Sequence, residues 1–526
     1  MDINTIEKMN TVTAKSMSGY VKFSLALLFV ALVFGYSYSS YLHTPNSTFL
    51  ILGAVFGAYM AMNIGANDVA NNVGPAVGSK ALTMTGAILI AAIFESMGAF
   101  IAGGDVVKTI KDGIINPDLI ADPQIFIWAM TAALLAAALW LNLATALGAP
   151  VSTTHSIVGG VMGAGIAAAG FAIVSWGTMG NIAMSWVISP VLGGIIAAAF
   201  LYTIKKTIIY KKDMIEAAKK VVPFLIAFMA WAFSTYIILK GIKHLIKLDF
   251  VTAASIGAGI ALLIYFIVSG IIAKKSAKLQ NKRESINTLF NIPLIFAAAL
   301  LSFAHGANDV ANAIGPLAAI YDAVTNNEIA SKVDIPFWVM AVGAIGIVVG
   351  LTLYGPKLIK TVGSEITELD QVRAFSIAMA AAITVIVASQ LGLPVSSTHI
   401  AVGGVFGVGF LREYLDSGEK VYLAKARKRF KKDKKDLENY EKELDYLINL
   451  KDKSKNNYQR IVSLHKLIDE KIESSALAKK NFQEAKSIKY VKRDAVKKII
   501  AAWIITVPVA AILSAAMFFM IKGIMS

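Results

Sequence analysis

The sequence predicts an all-α polytopic membrane protein with about 12 to 13 transmembrane helices, arranged as two inverted repeats with broken or re-entrant helices. Three observations predict this class. The chain is strongly apolar, with 56% hydrophobic residues and a mean hydropathy of +0.64. Its apolar runs reach the length of about 20 residues that a membrane span requires. Two polar motifs also recur in the same order within these runs. A soluble globular protein is thereby excluded.

Composition excludes several kinds of chemistry. The chain has no cysteine, so disulfides, thiolate catalysis and cysteine-ligated metals are ruled out. Its six histidines are dispersed along the sequence and do not suggest a metal cluster. The net charge of +16 is concentrated in a few basic stretches. In a membrane protein the position of such charge indicates topology, so no nucleic-acid partner is expected.

About thirteen apolar spans are predicted, centred near residues 32, 57, 93, 136, 165, 192, 231, 262, 297, 345, 381, 405 and 510. The first follows a long polar leader without a small-residue cleavage site, which favours a retained helix over a signal peptide. The basic stretches that begin at Lys205, Lys274 and Arg412 fall on one side of the bilayer. The positive-inside rule places them in the cytoplasm, with the N-terminus inside and the C-terminus outside.

The polar stretch from Arg412 to Lys498 predicts a cytoplasmic helical hairpin packed on itself. Apolar residues recur in it at the three-and-four spacing of a coiled-coil seam. They are Leu437, Tyr440, Leu444 and Leu447 in one segment, and Ile461, Leu464, Ile468 and Ile472 in the next. A solvated charged linker is the alternative.

Two pairs of motifs indicate an internal duplication. "GANDVANNVGP" from Gly65 matches "GANDVANAIGP" from Gly306 at nine of eleven positions. "PVSTTHSIVGGVMGAG" from Pro150 matches "PVSSTHIAVGGVFGVG" from Pro394 at eleven of sixteen. Seven predicted crossings separate the first motif from its copy, and this odd number inverts the second half. Inverted repeats of this kind are typical of secondary transporters, whose site lies between the halves.

The repeats define the predicted domains. These are an N-terminal tail with an extra span (1–46), the first repeat (47–204), connecting spans with basic loops (205–287), the second repeat (288–411), the coiled-coil-like insertion (412–497) and the last span (498–526).

The first motif combines helix-breaking residues with oxygen ligands. Gly65, Gly74 and Pro75 loosen or break a helix, which a membrane protein tolerates only where protein or a watery cavity satisfies the backbone. A buried carboxylate must be paired, protonated or metal-bound. Neither copy contains lysine or arginine, so a small cation or a proton is the expected partner of Asp68 and Asp309. Tight helix packing by small residues is the alternative.

The second motif predicts the start of a half-helix. Proline suits the first turn, and serine or threonine can cap it or donate to a ligand. The free amides and the positive dipole end of a helix N-terminus attract an oxyanion such as phosphate. Two such ends could face one tetrahedral anion, with hydroxyls from Ser152, Thr153, Thr154, Ser396, Ser397 and Thr398. For a single copy, an ordinary helix cap would be the simpler interpretation, and the histidines that follow, His155 and His399, are expected to support the cap.

These motifs resemble those of the inorganic phosphate transporter (Pit) family of secondary carriers, over roughly residues 47–411 and the last span. The resemblance implies uptake of inorganic phosphate driven by sodium or protons. It also implies that the Asp and Asn of the first motif and the hydroxyls of the second line the sites. Glu95, in "FESMGAF", resembles a membrane-embedded glutamate that the family uses, whereas the second half has apolar "GAIGIVVG" there. A structural hydrogen bond is the alternative role for Glu95.

The sequence therefore yields a hypothesis of cation-coupled phosphate import by alternating access, and no catalytic residues are expected. The predicted substrate-binding residues are Asn67, Asp68, Ser152, Thr153, Thr154, Asn308, Asp309, Ser396, Ser397 and Thr398. The predicted cation-coupling residues are Asp68, Asn71, Asp309, Asn312, Thr154, Thr398 and Glu95, with a sodium site at Asp68, Asn71, Asp309 and Asn312.

Other functions and assemblies stay open at this point. A carrier of another tetrahedral oxyanion such as sulfate is the nearest alternative, followed by an anion channel and by a membrane enzyme or receptor. No cofactor is expected beyond the co-transported sodium ion or proton. The expected partners are inorganic phosphate and the lipid bilayer, in a bacterial or archaeal cytoplasmic membrane, and a homodimer is one assembly that the sequence allows.

Overall fold

The structure is a computed structural model that describes residues 19–120, 122–147, 151–241, 248–326, 335–365, 369–415, 417–487 and 493–525. Its α-helices are α1 Gly19–Tyr41, α2 Ser47–Asn67, α3 Val69–Gly78, α4 Met84–Ala102, α5 Gly104–Lys108, α6 Pro123–Ala146, α7 Thr153–Ala169, α8 Trp176–Ile204, α9 Met214–Gly241, α10 Phe250–Ser276, α11 Arg283–Leu289, α12 Asn291–Asn326, α13 Phe337–Glu365, α14 Gln371–Gln390, α15 Ser397–Leu415, α16 Ser417–Ile448, α17 Lys455–Ser487 and α18 Arg493–Met525. The predicted all-α membrane fold is confirmed.

Eleven helices in the described part of the chain are long and apolar enough to cross a membrane. They coincide with eleven of the predicted spans. The predicted spans near residues 165 and 405 fall on α7 and α15 instead, which are not among the eleven. The helix α7 has only 17 residues, and α15 has a polar start and the charged residues Arg412 and Glu413 towards its end. Both helices begin at the second motif, at Thr153 and Ser397.

The first helix packs on the body of the protein. Ala26 of α1 forms an apolar cluster with Met62 of α2 and Leu353 of α13. The leader before it, residues 1–18, lies outside the described residues, so the interpretation of α1 as a retained helix stays a prediction.

Glycines of the first motif mark equivalent helix crossings in the two halves. A Cβ atom at Gly65 would lie 1.9 Å from the carbonyl oxygen of Ile347, and one at Gly306 would lie 2.1 Å from that of Glu95. The reciprocal contacts are equally close, namely Gly350 with the Met62 oxygen at 1.9 Å and Gly98 with the Phe303 oxygen at 2.0 Å. The crossing of α2 with α13 is therefore repeated by that of α12 with α4. Each half packs its first-motif helix on the other half.

The same exchange extends to the last helix. A Cβ at Gly163 of α7 would lie 2.2 Å from the Ala511 oxygen of α18, and one at Gly407 of α15 would lie 2.0 Å from the Gly194 oxygen of α8. Helix α18 thus packs on α7 as α8 packs on α15. In these contacts α18 is the counterpart of α8. The sequence indicated α18 only as a separate last span, and the predicted domain boundaries stay predictions.

The two copies of the first motif differ in backbone continuity. In the first copy α2 ends at Asn67 and α3 begins at Val69, and Asp68 between them keeps a right-handed helical conformation, so the interruption is a single residue. In the second copy α12 runs without interruption from Asn291 to Asn326, with Pro316 inside it. A proline removes only one backbone donor, and the remaining hydrogen bonds maintain the helix there. The break expected in the second copy is therefore absent.

The chain separates into two compact units, Met1–Val408 with Arg493–Ser526, and Gly409–Lys492. The second unit contains the predicted helical hairpin, α16 and α17, which pack on each other. Leu464 is fully buried in it, but Ile472, assigned to the seam from its spacing, is 51% exposed. Asp433 of α16 accepts hydrogen bonds from Lys471 Nζ at 2.7 Å and Ser474 Oγ at 3.0 Å. The bond from Lys471 holds the pKa of Asp433 below its ordinary value.

We expect Gly98→Ala to lower stability by about 1–3 kcal/mol, because the added methyl group overpacks the backbone of α12. The measurement is the thermal unfolding midpoint of the purified protein in detergent. Gly259→Ala in α10 is the matched control, because a Cβ there meets no atom within 4 Å. Equal midpoints for the two variants would contradict the close crossing.

We expect Asp433→Asn to speed amide hydrogen exchange in the hairpin at pH 7, while Asp445→Asn, at an exposed position, leaves it unchanged. The lowered pKa of Asp433 means that the carboxylate stabilises the hairpin at pH values above its unfolded pKa of about 4 and loses this effect as the pH falls through the folded value. The difference between variant and unmodified protein should accordingly vanish on acidification. A difference that persists at low pH would contradict this role of the charge.

Candidate functional site

The second motif forms a capped helix start in both halves. The Ser152 hydroxyl accepts a hydrogen bond from the His155 amide at 3.1 Å, and α7 begins at Thr153. The Ser396 hydroxyl accepts one from the His399 amide at 3.3 Å, and α15 begins at Ser397. The predicted helix starts are confirmed, although Pro150 lies outside the described residues. Because Ser152 and Ser396 serve as caps, their neighbours are better placed to meet a ligand.

Asp68 joins the two second motifs. Its Oδ2 accepts a hydrogen bond from Thr153 Oγ1 at 2.7 Å, and its Oδ1 accepts one from Thr398 Oγ1 at 3.0 Å. The residue is 1% exposed. One carboxylate at the break between α2 and α3 thus binds the starts of α7 and α15, which belong to different halves.

Asp309 occupies the equivalent place in the second half. Its Oδ2 accepts a hydrogen bond from Ser397 Oγ at 3.0 Å, as Asp68 does from Thr153. The same oxygen lies 2.7 Å from Nε2 of His305, one turn earlier on α12. Oδ1 of Asp309 is buried and has no hydrogen-bond partner among the described residues.

Two asparagines of the first motif connect the halves, and two others bond within their own half. The Asn71 amide donates to Thr398 Oγ1 at 2.8 Å and the Asn312 amide donates to Thr154 Oγ1 at 3.2 Å, in both cases across the halves. The remaining two predicted residues, Asn67 and Asn308, bond to neighbouring helices, at Thr145 Oγ1 (2.7 Å) and Ser389 Oγ (3.0 Å) respectively. The structure therefore brings Asn71 and Asn312 to the hydroxyls at the centre and holds Asn67 and Asn308 against α6 and α14.

Glu95 belongs to a polar chain that leads to Asp309. The Asn72 amide donates to Glu95 Oε1 at 2.8 Å, and Glu95 Oε2 lies 2.7 Å from Nδ1 of His305. All members of this chain are buried. No role was predicted for His305. A signal was present, because His305 opens the second copy of the first motif where the first copy has Ile64.

The centre of the site carries more negative than positive charge. Asp68, Glu95 and Asp309 are three buried carboxylates, and within the described ranges none of them forms an ion pair with lysine or arginine. A single imidazole, His305, faces two of them. The side-chain oxygens Oδ1 of Asn72, Asp309 and Asn312 are buried acceptors without a donor in this part of the chain. Uncompensated carboxylates and free oxygens are what a cation site requires.

The two histidines of the second motif meet between the halves. The rings of His155 and His399 lie 4.6 Å apart, and they pack on Trp186 and Trp503 at 3.8 and 3.6 Å. Trp186 Nε1 donates to the Pro394 carbonyl at 3.1 Å, across the halves. This aromatic packing supports the expectation that these histidines brace the helix starts.

Comparisons with known proteins agree on one family. Residues 64–514 match the model of the phosphate transporter family. A protein of Helicobacter pylori named "Putative phosphate permease" is 53% identical over 538 residues, covering 98% of each chain. A relative from Thermococcus kodakarensis with the same type of name is 41% identical over 363 residues, covering 69% of this chain and 89% of the relative. A solved structure titled "The sodium-dependent phosphate transporter" superposes with a TM-score of 0.73 at 32% identity, covering 90% of this chain and 99% of that one.

We expect Thr398→Val to lower stability by about 1–3 kcal/mol, because it removes a donor to Asp68 and an acceptor for Asn71 and leaves both buried groups unsatisfied. Thr398→Ser is the matched control, since it keeps the hydroxyl and should restore most of the lost stability. Thermal unfolding in detergent measures both. A valine variant as stable as the serine variant would contradict a structural role for this hydroxyl.

Proposed function

This chain belongs to the phosphate transporter family, whose members are transport proteins and not enzymes, and we propose that it imports inorganic phosphate by symport with a cation. The proposal places transport in a bacterial or archaeal cytoplasmic membrane, in line with the organisms of its relatives. Phosphate transport follows from the family.

The observation that carries the proposal is the meeting of two capped helix starts at buried carboxylates. The starts of α7 and α15 each direct free backbone amides and the positive end of a helix dipole towards the ligand side. Thr153 and Thr398 both reach Asp68, so the two starts converge. A tetrahedral anion with several acceptor oxygens suits two converging sets of donors.

Carboxylates beside an anion require a cation. Two unit charges of the same sign 4 Å apart repel by about 4 kcal/mol at an effective dielectric constant of 20. A sodium ion between Asp68 and the phosphate, or a proton on the carboxylate, replaces this repulsion by attraction. Each ligand then binds more tightly when the other is present, which is the thermodynamic basis of symport.

The hydrogen bonds of Asp68 suggest how this coupling works. Thr153 and Thr398 donate to its two oxygens in the structure. A cation that binds these oxygens makes the two hydroxyl hydrogens available to another acceptor. The phosphate would receive donors that Asp68 gives up, so cation binding would prepare the anion site.

Sodium is the cation that the available observations favour. The buried oxygens without donors on Asp309 and Asn312 form the hard, neutral-to-anionic oxygen set that such an ion takes. The related solved structure is titled a sodium-dependent transporter. Coupling to protons is the alternative that the experiment must separate.

We expect purified protein in liposomes to accumulate radiolabelled phosphate when an inward sodium gradient is imposed, and not with a proton gradient alone. A tenfold excess of sulfate should leave uptake largely unchanged. Accumulation driven by a proton gradient alone would show that protons, and not sodium ions, are the coupling ion. Absence of accumulation under both gradients would contradict symport, and inhibition by sulfate would indicate a broader oxyanion carrier.

We expect Asp68→Asn to reduce sodium-driven uptake at least tenfold and to weaken its dependence on sodium concentration, because the neutral amide no longer attracts the cation. Asp309→Asn should have the same direction of effect. Asp118→Asn is the matched control, as this aspartate lies exposed in the 3-10 turn Pro117–Leu119. Unchanged sodium dependence of uptake in both site variants would show that the coupling site does not lie at Asp68 and Asp309.

A further inference from the structure

We infer that Asp68, His305 and Asp309 form a binding site for one borderline divalent cation such as Zn²⁺, and that Glu95 orients its histidine ligand. The effect expected on transport rests on the function proposed above, because this cation would occupy the coupling site. The binding itself does not depend on that function.

The geometry supplies three ligands at one point. One ligand atom each from Asp68, His305 and Asp309 lies within 4.8 Å of the others, and all three residues are buried. Around zinc, ligands at about 2.0–2.2 Å from the metal lie about 3.4 Å from one another. Side-chain movements of about 1 Å would therefore close the three groups around an ion. Two carboxylates with an imidazole are a ligand set for borderline divalent metals.

The histidine is arranged as a metal ligand and not only as an ion-pair partner. Its Nδ1 lies 2.7 Å from Glu95 Oε2, and Glu95 is itself held by Asn72. Nε2 lies 2.7 Å from Asp309 Oδ2, so the second ring nitrogen faces the carboxylate that would share the metal. Metal-bound histidines commonly use one ring nitrogen for the metal and the other for a carboxylate.

Charge supports a doubly charged occupant. Three buried carboxylates lie around one imidazole, so the site has more acidic than basic groups. A divalent cation bound between Asp68 and Asp309 would compensate two carboxylates at one position. It would therefore compete with sodium for the same residues.

The histidine and its polar partners occur only once in the duplicated centre. By alignment of the repeats, the counterparts of His305, Glu95 and Asn72 are Ile64, Ile347 and Ala313. Asp309 therefore has an imidazole one turn earlier on its helix, whereas the equivalent carboxylate, Asp68, has an isoleucine at that position. We therefore expect a single divalent cation per chain. Ile64, the counterpart of His305, shows that the fold accommodates isoleucine at an equivalent place.

The test is calorimetric titration of Zn²⁺ into the full chain in lipid nanodiscs, in buffer without phosphate. We expect one tight site per chain in the unmodified protein and at least tenfold weaker binding in His305→Ile. His465→Ile, at an exposed position in the hairpin, is the matched control and should bind as the unmodified protein does. Mg²⁺, which prefers oxygen ligands and retains its waters, should bind much more weakly. Equal Zn²⁺ affinity in His305→Ile and the unmodified protein would overturn the inference.

A second variant keeps the test valid if His305→Ile fails to fold. Glu95→Gln keeps the shape of the side chain and should weaken Zn²⁺ binding by about 10- to 100-fold, the usual effect of losing a group that orients a ligand. In liposomes, Zn²⁺ should inhibit sodium-driven uptake, and higher sodium should relieve this inhibition in proportion. Inhibition that sodium does not relieve would place the metal elsewhere. Sodium-driven uptake together with no Zn²⁺ binding would overturn this inference and leave the proposed function intact, whereas Zn²⁺ binding without driven uptake would do the reverse.

Discussion

The hydrogen bonds of Thr153 and Thr398 to Asp68 connect the starts of two short helices from different halves of the chain. Their acceptor is a buried carboxylate, and a shared imidazole lies beside it, with no lysine or arginine paired to it among the described residues. Desolvation makes that charge expensive unless donors and cations surround it. The helix caps, the asparagine contacts and the glycine crossings all bring polar groups to this point.

The close helix crossings make that convergence possible. At each of the crossings described above a glycine lies against a carbonyl oxygen of the opposing helix, so that any side chain would collide with backbone. Small residues allow helices to approach in this way where lipid provides no hydrophobic driving force. Short distances between helix axes let short side chains such as threonine and asparagine reach across the halves. Longer side chains would bridge a wider gap with less precise positions and a larger entropy cost.

Much of the candidate site could be predicted from the sequence, because the duplication repeats its motifs in both halves. The matching Asp, Asn, Ser and Thr positions indicated the carboxylates, and a proline followed by serine and threonine predicted the helix starts, but Ser152 and Ser396 were expected to bind substrate and instead cap the helices. Hydropathy also marked spans at α7 and α15, which are not among the eleven helices long and apolar enough to cross a membrane, because apolar composition alone does not give the length of a helix. His305 could not be assigned a role because its partner Glu95 lies 210 positions away. Only the folded chain reveals such a contact, and the repeat has no second example of it.

The differences between the equivalent positions bear on the energetics of the transport cycle. If a two-fold exchange of the repeats relates the outward-open and inward-open states, identical halves would make these states equal in free energy. Here the repeat relates the positions of His305 and Glu95 to those of Ile64 and Ile347. Exchange of the repeats would then place the polar pair in different surroundings, so the two orientations of the unloaded carrier would differ in free energy and the empty carrier would favour one of them. Such a preference determines which side of the membrane the empty carrier faces when it binds its next ion.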